Sequence, residues 1–110
     1  MLPLSRNEKA LILDALNGTI FDERTQDLNL VDAFTGRRIR PGLGGQIAHS
    51  VLDAIEGDGL DEKWSVDGAG LVAKLEVLTK EEGLALARAV YVWWDRVGNG
   101  EQLDFDELRV

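Results

Sequence analysis

His49 is the single histidine of the sequence, and Asp53 follows it four residues later. On a helix that spacing lets a carboxylate orient an imidazole, which is half of a general-base arrangement. Ser50 would point about 100° away around the same helix, so no nucleophile lines up with the pair. The spacing therefore predicts a solvated surface pair. The chain has no cysteine, which removes disulfides, zinc–thiolate sites and thiol nucleophiles. Histidine-based metal centres need more than one imidazole, and no carboxylate falls in an expected apolar cleft that would separate two pKa values. The expectation is a protein without catalytic residues, metal or cofactor.

Two further stretches carry chemistry-bearing residues. From Asp95 the chain reads "DRVGNGEQLDFDE", which resembles an EF-hand calcium loop. Such a loop needs oxygen ligands at positions 1, 3, 5, 7, 9 and 12, with glycine at 6. With Asp95 at 1, Asn99 and Gly100 fall at 5 and 6, but Val97 stands at 3 and offers only hydrocarbon. Glu107 arrives at position 13 rather than 12, and only three residues follow it, too few for an exiting helix. The stretch is expected to be a helix exit leading into an acidic tail over 98–110, with Phe105 and Leu108 folding back on the body. A degenerate calcium-responsive module is the weaker alternative. The second stretch is "GRRIRPGLGGQ", which places three of the twelve basic residues, Arg37, Arg38 and Arg40, ahead of a glycine-rich helix start. Backbone donors at a helix start attract anions, and arginines add charge-assisted bonds. The phosphate-loop order ending in Gly-Lys-Ser/Thr is absent, so the expectation is a connection whose arginines meet carboxylates or an acidic partner.

The elements that position these residues read as short helices punctuated by glycine. "SRNE" at Ser5–Glu8 is a capping box, followed by Leu11, Ile12, Ala15 and Leu16 at helical spacing and stopped by Asn17–Gly18. Residues 27–34 suit either a strand or, preferably, a short helix. A helix over 43–56 has Ile47, Val51 and Ile55 as its buried ridge, Ala48 and Leu52 beside it, and Gln46, His49, Asp53 and Glu56 on its polar face. "LDEKW" reads as one turn that sets Trp64 into the core. Asp67 is an expected N-cap for a helix carrying Leu71, Val72, Leu75 and Leu78, and "TKEE" at Thr79–Glu82 is a second capping box.

That box opens the most telling segment, a helix over about 80–96. Glu81, Arg88 and Asp95 form one narrow polar stripe at heptad spacing, and nearly everything from Leu84 to Trp94 outside it is apolar. A helix apolar over so wide an arc is central in its domain or partly covered by another chain. Trp93 and Trp94 point about 100° apart and cannot face the same neighbour. The frames "LDALNGTIFDE" and "LDAIEGDGLDE" start 39 residues apart, at Leu13 and Leu52, but the likeness fades on both sides. Repeated helix-end chemistry explains it better than a repeat architecture, which needs about three full units.

The fold expected is one all-α domain, a bundle of four to six short helices around a central C-terminal helix. With 110 residues, 45% apolar and 29% charged, the composition is that of a folded globular chain. No basic, apolar leader and no run of about 18–20 apolar residues is present, so a cytoplasmic setting is the default expectation. A net charge of -8 disfavours direct contact with nucleic acid. The function expected is binding to another protein, as regulator, adaptor or inhibitor, through Tyr91, Trp93, Trp94 and the Arg37, Arg38, Arg40 run, with a homodimer among the options. A competing expectation is a nucleic-acid mimic, in which Asp53, Glu56, Asp58, Asp61 and Glu62 form one acidic face.

Overall fold

Most of the helices start where a side chain can satisfy backbone N–H groups that have no partner within the helix. In the computed structural model, which describes residues 3–26, 28, 42–58 and 67–110, these caps open three of the four α-helices found among the described residues. Helix α1 spans Arg6–Ala15. Ser5 Oγ accepts from the Glu8 N–H at 3.1 Å, and Glu8 Oε1 accepts from the Ser5 N–H at 2.9 Å, the reciprocal box read from the sequence. Glu8 also receives Lys74 Nζ at 3.0 Å, which ties the start of α1 to a helix far along the chain. Gly18, at φ +85°, turns the chain away after α1, in the left-handed region that glycine enters without steric cost. Helix α2 spans Leu43–Asp58, α3 Gly68–Glu76 and α4 Lys80–Gly98. Asp67 Oδ1 caps α3 by accepting from the Gly70 N–H at 3.1 Å. The Thr79–Glu82 box opens α4 at 3.1 and 2.9 Å. No strand occurs among the described residues, and the fold is an all-α domain.

The core is one continuous apolar cluster. Leu11, Ile12, Leu13 and Leu16 come from α1 and its exit; Leu43, Ile47, Ala48 and Val51 from α2; Leu71 and Leu75 from α3; and Leu86, Ala87, Val90 and Trp93 from α4. Helix α2 lies against α1, α3 and α4. Its ridge differs from the expected one in two places. Ile55 is only partly buried, packed at the edge of the core, and Leu52 is 40% exposed. Gln46, expected on the polar face, is buried at 1% exposure. The cause is Leu28, itself in the core, whose N–H donates to Gln46 Oε1 at 2.8 Å and gives the amide a reason to turn inward.

Three backbones meet closely at the start of α2. A Cβ on Gly44 would lie 2.5 Å from the Leu75 carbonyl oxygen at the end of α3, and one on Gly83 would lie 3.1 Å from the Gly44 nitrogen. Here glycine allows close approach rather than flexibility. After α4 the chain turns through Gly100, at φ +94°, and makes a short 3-10 turn at Phe105–Glu107. Leu108 is buried at 1% exposure, and Phe105 stacks on Trp93 with ring centroids 6.2 Å apart, so both fold back as expected. Arg6 closes over this turn, with Nη2 2.6 Å from Asp104 Oδ1 and its guanidinium 5.1 Å from the Phe105 ring. The expected elements over 27–34, apart from Leu28, and the Trp64 turn lie outside the described residues, as do Arg37, Arg38, Arg40, Asp61 and Glu62. Among the described residues no helix is long and apolar enough to cross a membrane.

Candidate functional site

The expected chemistry along α2 is laid out as two separate features. His49 Nε2 lies 3.2 Å from Asp53 Oδ2, with side-chain exposures of 31% and 65%, a solvated pair. Ser50 is turned into the protein at 8% exposure. In the stretch that resembles a calcium loop, two of the carboxylates are engaged by arginines, and Asn99 is engaged through its backbone N–H. Glu101 Oε1 receives Arg96 Nη2 at 2.9 Å, Asp104 pairs with Arg6, and Asn99 serves as the C-cap of α4. These arginines hold the Glu101 and Asp104 carboxyls below their ordinary pKa. Among the described residues no three His, Cys, Asp or Glu side chains gather as a metal site would require.

The two tryptophans of α4 do face different neighbours. Trp93 is buried at 7% exposure, and its Nε1–H donates to the Asp104 carbonyl at 3.4 Å, toward the C-terminal turn. Trp94 is half-buried, and its Nε1–H donates to the Leu13 carbonyl at 3.2 Å, toward the end of α1. Their rings meet edge to face at 4.9 Å. Of the aromatic residues expected to touch a partner, Trp93 thus belongs to the core, while Tyr91 and Trp94 reach the surface.

At that surface α4 presents an open groove lined by Phe21, Glu23, Arg88, Tyr91, Val92, Trp94 and Asp95. Val92 is 59% exposed, large for an aliphatic side chain bordered by aromatic rings. Phe21 stacks on Tyr91 with centroids 5.6 Å apart and planes inclined by 29°. The Tyr91 hydroxyl lies 2.6 Å from Thr19 Oγ1, and burial raises the phenol above its ordinary pKa. The rim is charged. Arg88 Nε donates to Glu23 Oε1 at 2.7 Å, Nη2 closes the same pair, and Asp95 stands exposed at the other end. An apolar floor within a polar rim is the anatomy of a protein contact surface.

Phe21 and Glu23 line the groove, and Thr19 holds its Tyr91 hydroxyl, although helical periodicity could not point to them. They sit in the irregular segment after Gly18, and the adjacent apolar pair Ile20–Phe21 was the available signal. The fold and groove together define an all-α domain with an aromatic surface cleft. Comparison with known proteins adds no relative: no family model, no curated protein and no solved structure matches the chain.

Proposed function

We propose that this is a non-enzymatic binding protein that regulates, adapts or inhibits another protein by engaging it through the α4 groove. The observation that carries the reading is Val92, strongly exposed between Tyr91 and Trp94 inside a charged rim. Tyr and Trp are the residue types that concentrate binding energy at protein contacts, because they bury large rigid areas at small entropic cost. Their positions are also fixed in advance by the Thr19 and Leu13 hydrogen bonds, which lowers the ordering cost of binding. Arg37, Arg38 and Arg40 form a second contact in this reading, carried by the sequence alone.

The test is affinity copurification of the tagged chain from its native host, with Val92→Asp beside Val77→Asp. Val77 is 80% exposed and does not line this groove, so its variant controls for added surface charge. The expected result is a partner retained by the natural chain and by Val77→Asp but lost with Val92→Asp. Equal recovery with all three would overturn the reading.

A further inference from the structure

The exposed stripe of α4 is complementary to itself. Arg88, Tyr91, Val92 and Asp95 follow one another at helical spacing on a single face. About the midpoint between Tyr91 and Val92, Arg88 lies as far on one side as Asp95 does on the other. A two-fold axis there, lying in the contact plane, runs a second α4 antiparallel to the first and places each basic residue opposite an acidic one. Closed two-fold contacts require this self-match of one patch. We propose that a second copy of this chain occupies the groove, with Arg88 pairing the partner subunit's Asp95 at both ends.

The inference rests on reading the groove as a protein-binding surface, and it names the partner. Three observations favour a second copy. Asp95 is an exposed rim charge for which no side-chain hydrogen bond or ion pair is found among the described residues. Arg88 spends two of its five N–H donors on Glu23, so it can take a second carboxylate. Phe21, Tyr91 and Trp94 all lie toward one flank of the stripe. The two-fold operation sets that flank beside its own counterpart and joins two open grooves into one apolar core. The charged pairs fall about 5 Å along the helix from the axis, near enough to stay in reach at either common helix-crossing angle. One helix face is a small interface, so self-association belongs in the micromolar to millimolar range, ~1 µM–1 mM.

Sedimentation of the full chain tests this with two single variants, Arg88→Asp and Asp95→Arg. Each alone places like charges opposite each other at both ends of the contact. Mixed in equal amounts, the two variants present Arg88 to Asp95 at one end and the two introduced charges to each other at the other. The natural chain should self-associate, each variant should do so about tenfold more weakly, and the mixture should recover the natural affinity. Both positions are exposed, and circular dichroism melts of each variant are to check that it folds. Val92→Asp, beside the axis, should abolish association, because it sets a carboxylate against its own counterpart in the apolar centre of the contact. A natural chain that stays monomeric at about 1 mM, or a mixture no tighter than its components, would overturn the inference. If a different protein is still captured in a Val92-dependent way by such a monomer, the groove reading stands and the second copy is ruled out as its occupant.

Discussion

Replacing Gly44 by alanine tests the close approach of three backbones at the start of α2. In isolation the change favours the helix, by up to about 1 kcal/mol in a helix interior and less in the first turn. In this fold the new methyl would stand 2.5 Å from the Leu75 carbonyl oxygen and 3.2 Å from Leu78 Cβ. A relaxed carbon–oxygen contact needs roughly 3.3 Å, so α2 and α3 must separate by nearly 1 Å. Leu75 is fully buried, so that movement disturbs the core rather than a free edge. Overpacking of this kind costs about 1–3 kcal/mol, which outweighs the propensity gain and leaves a net loss of about 1–2 kcal/mol. For a domain of this size the melting temperature should fall by roughly 4–10 °C. Gly57 supplies the control. It lies near the end of the same helix, a Cβ there would meet nothing within 4 Å, and Gly57→Ala should leave stability level or slightly raised. Paired thermal and urea unfolding by far-UV circular dichroism reads both. A Gly44→Ala variant as stable as the natural chain would refute the idea that glycine is required here for contact.

Two other perturbations address how the ends of α1 and the C-terminal turn are held. Partial burial pushes the Glu8 carboxyl up, but hydrogen bonds from the Ser5 backbone and Lys74 outweigh it and leave the pKa below its ordinary value. Its contribution to stability is therefore present above the unfolded pKa, about 4.3, and is lost as pH falls through the lower folded value. Glu8→Gln should lower stability at neutral pH by about 0.5–1.5 kcal/mol, and its difference from the natural chain should shrink below about pH 4 in urea titrations. Leu108→Ala removes a side chain at 1% exposure and should cost about 2–3 kcal/mol, at the low end of the range for buried leucines because the turn can collapse onto the gap. Tryptophan emission should shift to the red in that variant as Trp93 gains water, and an unchanged spectrum would show that the turn does not cover it.

What was legible in the sequence was chemistry confined to a few neighbouring residues. Ser5 with Glu8, Thr79 with Glu82, and Asp67 each cap the helix their spacing indicated, because a cap is decided within one turn. The Glu81, Arg88, Asp95 stripe is exposed as its heptad spacing indicated. What escaped depends on partners distant in the chain. Gln46 looked like a surface residue because its partner, the Leu28 N–H, is 18 residues away. "GLGG" reads as part of a connection leading into a helix, yet Gly44 stands in register with Ile47, Ala48 and Val51, and Gly83 with Leu86, Ala87 and Val90. A glycine on a buried ridge signals a crossing of backbones, and that signal was present though unread. The groove was half visible: Tyr91 and Trp94 lie on the helix that drew attention, whereas Phe21 and Glu23 reach it only through tertiary packing.

The small contact between Thr19 and Tyr91 has a direction. Thr19 Oγ1 lies 2.7 Å from the Leu16 carbonyl, which can only accept, so the single hydroxyl hydrogen of the threonine is already committed there. The proton shared with Tyr91 must then come from the phenol. One wall of the cleft is consequently latched by a hydrogen that strong alkali removes, and a phenolate would confront oxygen lone pairs in place of a hydrogen-bond donor. Its raised folded pKa makes the latch complete below the unfolded value, near 10, and progressively released above it, while the capped ends of α1 and α4 have no part in that change.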